Sequence, residues 1–335
     1  CRPRLFPHPP AGGGDPGKGN ALIPAGRLLR DHRVRPRRGL SQSFLRDDNV
    51  ARKIVTAAAL QKSDVVLEIG SGHGILTRLI APRSRKVLAV EIDPELVAVL
   101  EDACGGMDNV RILAGDILKM DLFSLAAAYP GARLRVIGNI PYGIATEILF
   151  LLLAQRRVIA GAVIMVQKEL AERLTAGPGT KAYGIPTVLL AMHARIEHLF
   201  DVPPSCFYPR PRVMSAVISL TFLEHPLVAL ADEEHFARLV RAAFAQRRKT
   251  VWNNLRQAPE MGLEKDRLRE IMENCGIDGE RRAETLTVTD LGLLSNALAA
   301  AAGGQTPGDE RSDKGGDAEK GADKEGALEG GGNGG

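Results

Sequence analysis

Val65-Val66-Leu67-Glu68-Ile69-Gly70-Ser71-Gly72-His73-Gly74 is the stretch that decides the fold. A β-branched apolar run reads as a buried strand, and glycines at alternate positions behind it read as a tight turn whose backbone can approach a ligand closely. A helix follows, through Leu76 and Leu79. The spacing is G-x-G-x-G, not the G-x-G-x-x-G of dinucleotide binders. The same strand-then-helix unit recurs downstream. Short apolar runs at Lys86 to Glu91, Val110 to Ala114, Leu134 to Asn139 and Ala162 to Gln167 read as further strands. One intervening helix opens at Asp93-Pro94, where Pro suits the first helical position, and another covers Ala145 to Arg157. Such alternation implies an α/β domain built on a parallel sheet with helices on both faces. Ala194 to Phe200 and Ser215 to Phe222 read as an antiparallel hairpin closing one edge. From about Asp232 to Ala302 the strand pattern gives way to helix.

The bulk numbers agree with one large domain and a smaller one in 335 residues. Charged residues are 25% and apolar residues 44%, the balance of an ordinary globular chain. The net charge of +4 hides an asymmetry, with nine Lys/Arg against two Asp in residues 1–40 and four Lys/Arg against eight Asp/Glu in 303–335. Any nucleic-acid footprint must therefore come from local patches. The expected organisation is an extension at 1–34 and an α/β domain at 35–224. A helical domain at 225–302 and a Gly-, Asp- and Lys-rich tail at 303–335 complete it. Both ends are expected to be disordered, since neither holds the apolar residues of a core. Four widely spaced cysteines make no Cys-x-x-Cys pair, and the seven histidines make no ligand-spaced cluster with them, so no metal site is expected. No apolar run approaches the ~20 residues that cross a bilayer. A cytoplasmic monomer is the expected state.

Three polar side chains end successive strands after the glycine turn. Glu91 ends the second, where a carboxylate can accept both hydroxyls of a ribose. Asp116 follows the third and can accept from an adenine amino group. Asn139 ends the fourth and opens Asn139-Ile140-Pro141-Tyr142. With Gly70 and Gly72 these make a nucleoside site, and S-adenosylmethionine fits it better than NAD. It has no pyrophosphate needing a third, helix-packing glycine, and its sulfonium is tolerated by carbonyls and acids. The fold expected is thus a Rossmann-like methyltransferase domain with a small C-terminal helical domain.

An adenine exocyclic amine is a poor nucleophile because its lone pair is delocalised into the ring. A catalyst for its methylation needs hydrogen-bond acceptors aligned on the amine more than a strong base. The Asn139 side-chain carbonyl and the Ile140 backbone carbonyl supply two. Pro141 biases Ile140 towards extended backbone, and Tyr142 offers a ring for stacking.

The ensemble resembles the KsgA-type small-subunit rRNA adenine N6,N6-dimethyltransferases. The likeness is carried by Ser41-Gln42-Ser43-Phe44-Leu45, Val166-Gln167-Lys168-Glu169 and Ala176-Gly177-Pro178-Gly179-Thr180-Lys181-Ala182-Tyr183-Gly184. Phe207-Tyr208-Pro209-Arg210-Pro211-Arg212-Val213-Met214-Ser215-Ala216-Val217 and Phe244-Ala245-Gln246-Arg247-Arg248-Lys249-Thr250 extend it, so it runs from about Arg35 to Leu298. It implies cofactor contacts at Ser43, Leu45, Gly70, Glu91, Asp116 and Asn139, and a second aromatic, Phe207, clamping the base opposite Tyr142. Ser43 stands where the family usually has Asn, and Ser71 where Pro is common. The implied partner is small-subunit rRNA in an assembling ribosomal subunit.

Six Lys/Arg and no acid lie between Phe236 and Arg256, and Phe236, Val240 and Phe244 recur every four residues. This reads as one helix with a buried stripe and a basic face, with Arg247, Arg248 and Lys249 as candidate phosphate contacts. Arg35, Arg37 and Arg38 form a second candidate patch. Two other readings compete: a large-subunit rRNA adenine methyltransferase of the macrolide-resistance type, and a non-catalytic RNA-binding assembly factor on the same fold.

Overall fold

The structure, a computed structural model, describes residues 42–258 and 264–303. The expected disorder of 1–34 and of the tail beyond 303 lies outside the described residues, as do Ser41, Arg35, Arg37 and Arg38.

Seven strands form the main sheet: β2 (Val65–Ile69), β3 (Lys86–Glu91), β4 (Val110–Ala114), β5 (Leu134–Asn139), β6 (Ile159–Gln167), β7 (Ala194–Val202) and β9 (Ser215–Phe222). Their order is β4-β3-β2-β5-β6-β9-β7. The first five run parallel, and β9 is antiparallel to both of its neighbours. A separate two-stranded ribbon pairs β1 (Phe44–Leu45) with β8 (Phe207–Tyr208). The expected hairpin exists, but its second strand β9 lies inside the sheet and its first strand β7 takes the edge. Two seven-residue helices, Lys168–Leu174 and Ile185–Ala191, stand between β6 and β7. At two turns each they are too short to show an apolar period.

The central strands are largely apolar because both of their faces are covered. Val65, Leu67 and Ile69 enter one core with Ile148, Leu152 and Ile164, while Val66 enters the other with Ile54, Leu79 and Val163. A third core lies in the helical part, where Phe236, Leu239 and Val240 pack with Leu268, Ile271, Leu291 and Leu294. It also takes Tyr183, Val188, Leu189 and Met192, so it is not confined to the 225–302 segment.

The long basic helix is broken. Asp232 caps the helix Glu233–Ala243 by accepting from the Glu234 and His235 amides, and the helix stops at Phe244. A new helix, Val251–Leu255, starts behind Thr250, whose hydroxyl accepts from the Asn253 amide. The Asn254 side chain donates to the Ala243 and Gln246 carbonyls at 2.6 and 3.2 Å, satisfying groups that the first helix leaves open. Arg247, Arg248 and Lys249 therefore sit in the intervening turn.

One carboxyl group is fully buried within the sheet. Glu68 on β2 is 1% exposed and accepts from the Thr77 hydroxyl at 2.5 Å, while its other oxygen has no partner. Burial pushes its pKa up to about 8. In the unfolded chain the carboxyl ionises near pH 4.5, so between pH 4.5 and 8 the folded state holds the extra proton. Stability is therefore greatest below that window and is lost as pH rises through it, by at most about 1.4 kcal/mol per pH unit. Glu68→Gln, a neutral isostere, should match the wild type in thermal unfolding below pH 4.5 and exceed it increasingly up to about pH 8. Parallel melting curves for the two proteins across that range would refute a buried, protonated Glu68.

Candidate active site

The polar ends of the parallel strands converge on one cavity of about 400 Å³, within the range of small-molecule sites. Ser43, Gly70, Gly72, Glu91, Asp116, Asn139, Ile140, Pro141 and Tyr142 all line it. Most of the expected site is thus brought together at the carboxyl edge of the sheet, where α/β folds place their ligands.

Glu91 organises the cofactor side. One of its oxygens accepts the Gly72 amide at 2.8 Å, and the other accepts the Ile92 and Asp93 amides at 3.0 Å each. Gly72 makes its contact from a left-handed backbone with φ +56°, which disfavours any side chain. Burial raises the Glu91 pKa, opposed by the bonds from those three amides. Two oxygens offer about four acceptor sites, so an acceptor position remains for a ligand hydroxyl. Beyond β4, Asp116 takes the Leu118 amide at 3.0 Å on one oxygen and lines the cavity.

Asn139 is oriented from the chain's first described segment. Its amide nitrogen donates to the Ser43 carbonyl at 2.8 Å, which leaves the side-chain oxygen as the acceptor. This contact uses the Ser43 backbone and needs no longer side chain there. Gly138, just before, lets β5 lie against β2, since a Cβ at this position would stand 2.5 Å from the Ile69 carbonyl oxygen. The Tyr142 hydroxyl bonds the Ser215 hydroxyl at 2.5 Å, which fixes the ring against the start of β9. Burial raises the phenol's pKa, so the group is neutral.

Several expected residues lie elsewhere. Leu45 is buried in the core that holds Val66 and Val163, outside the cavity lining, and its carbonyl is bonded by the His73 ring at 2.9 Å. Phe207 is 1% exposed among the same apolar residues, so it has no open face on which a base could stack. Alternation along β8 turns Tyr208 outward instead, at 53% exposure. His73 is buried and its pKa is lowered to about 4 by burial, so it is a neutral structural group. Arg247 is tied to Glu284 at 3.0 Å and donates to the Lys181 carbonyl. Arg248 and Lys249 are exposed. Among the described residues no group of His, Cys, Asp and Glu could hold a metal.

Residues that the sequence did not announce complete the walls. Phe44, Ile92, Ile117 and Leu118 line the cavity and give it the apolar faces that a flat base needs. For Ile92 and Ile117 the signal was an apolar residue directly after the acid at or just behind a strand end, as in Glu91-Ile92 and Asp116-Ile117. The acceptors at Glu91 and Asp116, these apolar faces and the close backbone at Gly72 fit an adenosine-bearing cofactor. S-adenosylmethionine satisfies that set.

The ribosomal RNA adenine dimethylase family matches residues 33–293. Ribosomal RNA small subunit methyltransferase A of Syntrophus aciditrophicus (strain SB) is 43% identical over 272 residues, covering 81% of this chain and 97% of that protein. The protein of the same description from Geobacillus thermodenitrificans (strain NG80-2) is 45% identical over 266 residues, covering 78% and 90%. Among solved structures, a dimethyladenosine transferase from Plasmodium falciparum superposes with a TM-score of 0.66 at 26% identity, over 75% of this chain and 95% of that one. The 23S rRNA methyltransferase ErmE gives 0.60 at 27%, over 76% and 99%. A sequence match across most of its length, on a fold that gathers acceptors around an adenosine-sized cavity, establishes that the chain belongs to the ribosomal RNA adenine dimethylase family and is an S-adenosylmethionine-dependent methyltransferase.

Proposed function

We propose that the protein acts as a monomer in the cytoplasm, converting adenines of small-subunit rRNA to N6,N6-dimethyladenosine in an assembling ribosomal subunit. The observation that carries the chemistry is the Asn139 amide, whose nitrogen is held by Ser43 so that its oxygen is the acceptor left at the cavity. The small subunit is favoured by relatives of that description at 43–45% identity over 90–97% of their length. The complete acceptor set argues against a fold retained only for binding. No helix among the described residues is long and apolar enough to cross a membrane.

Bound S-adenosylmethionine supplies an electrophilic methyl carbon next to a cationic sulfur. The chain's own residues then have one task, to present the adenine amine with its lone pair free. Asn139 Oδ1 and the Ile140 carbonyl accept its two hydrogens, which draws nitrogen out of conjugation with the ring. In a second round a singly methylated amine has one hydrogen left, and one acceptor suffices. The Tyr142 ring, locked by Ser215, offers a face to the base. Ile140 is itself fixed by the hydrogen bond that its N–H donates to the Met165 carbonyl at 3.1 Å, so the acceptor pair is set before substrate arrives. Arg248 and Lys249, exposed in the turn after the helix Glu233–Ala243, are the phosphate contacts we propose for the helical part. Arg247 braces that turn against Glu284.

Three outcomes test this reading. Wild-type protein, S-adenosylmethionine and under-methylated small subunits should yield dimethyladenosine by mass spectrometry of digested rRNA, and none would defeat the proposal. In single turnover Asn139→Ala should fall ~10²–10³-fold, as when one preorganised hydrogen-bond partner is lost. Tyr142→Phe, which keeps the ring but loses the Ser215 bond, should fall far less than Tyr142→Ala; an unimpaired Asn139→Ala would sink the mechanism alone.

Glu91→Ala should weaken binding of the demethylated cofactor by about 1.5–3 kcal/mol in calorimetry, and unchanged affinity would remove Glu91 from the site. Arg248→Gln with Lys249→Gln should flatten the salt dependence of RNA binding by about 0.7 for each phosphate no longer neutralised, and leave cofactor affinity as it was. An unaltered slope would leave the turn a solvated surface.

A further inference from the structure

The segment between β8 and β9 contributes no residue to the cavity lining, yet each of its ends is joined to a residue that does. At its start Tyr208 pairs with Phe44, and Phe207 pairs with Leu45. Paired residues share a face of a ribbon. Leu45 and Phe207 face the core, at 2% and 1% exposure, while Phe44 lines the cavity. Tyr208 therefore lies on the cavity side of the ribbon, 53% exposed. At the segment's end the Met214 carbonyl accepts the Lys168 amide at 3.0 Å, and Ser215 holds Tyr142. The loop thus bridges the Phe44 wall and the Tyr142 wall.

What it carries between those anchors is one kind of chemistry. Arg210 and Arg212 are exposed cations with no acidic partner among the described residues, and Val213 and Met214 are 45% and 36% exposed. Pro209 and Pro211 restrict the backbone, so little ordering is lost when the loop engages a partner. On the cavity's own lip Ile92 is 48% exposed. An aromatic face, two free guanidiniums and apolar side chains around a nucleobase cavity suit a single strand, whose bases stack and whose phosphates need cations.

We infer that the loop Tyr208–Met214 grips the single-stranded RNA next to the adenine held in the cavity, with Tyr208 stacking on a neighbouring base and Arg210 and Arg212 on its phosphates. This rests on the proposed rRNA substrate and adds to it the strand-holding surface. The loop recognises nucleotides outside the cavity, so it sets KM for RNA and not affinity for the cofactor.

The test uses the full chain, under-methylated small subunits for steady-state kinetics, and titration with the demethylated cofactor. Tyr208→Ala should raise KM for subunits about 5- to 150-fold, the range for losing one stacked base. Tyr208→Phe, which keeps the ring, should restore most of that, and both variants should bind the demethylated cofactor like wild type. Arg210→Gln with Arg212→Gln should lower the salt dependence of subunit binding by about 0.7 for each phosphate that goes unpaired. If the wild type methylates subunits while these variants keep its KM and its salt slope, the loop does not touch RNA. Loss of cofactor affinity together with a lower Tm in Tyr208→Ala would make the side chain a structural prop and overturn the inference too. A wild type that yields no dimethyladenosine would instead overturn the proposed function, and this inference with it.

Discussion

The Glu91 carboxylate is the contact on which the site depends. It ends β3, yet it holds the Gly72 amide of the preceding glycine turn and the amides of Ile92 and Asp93 that lead into the helix Pro94–Cys104. A single buried anion thus fixes the distance between two strand ends and the entry angle of a helix. Asp93 then caps that helix through the Glu95 amide, so positioning passes from one acid to the next. The arrangement costs desolvation, visible in the raised pKa of Glu91 despite three amide donors. Glu68 carries a larger cost of the same kind in the strand beneath. Burying two carboxylic groups under a turn is tolerable where amides, a hydroxyl and eventually a cationic ligand share the field.

The adenine-facing corner is positioned by a longer reach. Asn139 is set by a backbone carbonyl 96 residues earlier, and Tyr142 by a hydroxyl 73 residues later. Neither partner is a reacting group. Both fix a side chain whose freedom would otherwise blur the two acceptors, which is how a weak nucleophile can be handled without a strong base. Ser43 contributes through its main chain, so a change of residue type there leaves the contact in place.

The parts legible in the sequence were those encoded locally. Strands β2 to β5 fall at the expected residues because short, predominantly apolar and β-branched runs ending in a polar residue or glycine mark them. Glu91, Asp116 and Asn139 were legible because a polar residue directly behind such a run must emerge at the strand's end. What failed depended on partners far along the chain. Phe207 and Tyr208 are adjacent aromatics, and which one turns inward is decided by pairing with Phe44 and Leu45, more than 160 residues away. The helix break after Ala243 depends on Asn254 supplying bonds to open carbonyls. Arg247 looked like one of three equivalent cations until Glu284 folded onto it. Leu45 was placed by the family's pattern, and its neighbour His73 accounts for where its carbonyl points.

The place of β9 bears on how the molecule can be made. It is antiparallel to both neighbours and sits between β6 and β7, both of which precede it in the chain. While a ribosome is still releasing the nascent polypeptide, β6 keeps a bare hydrogen-bonding edge until residue 222 has emerged. Open edges of this kind invite wrong pairing. The hydroxyl that locks Tyr142 belongs to this late strand, so no partial product can hold the adenine-facing corner in its finished form. The last strand to arrive both seals the sheet and completes the site.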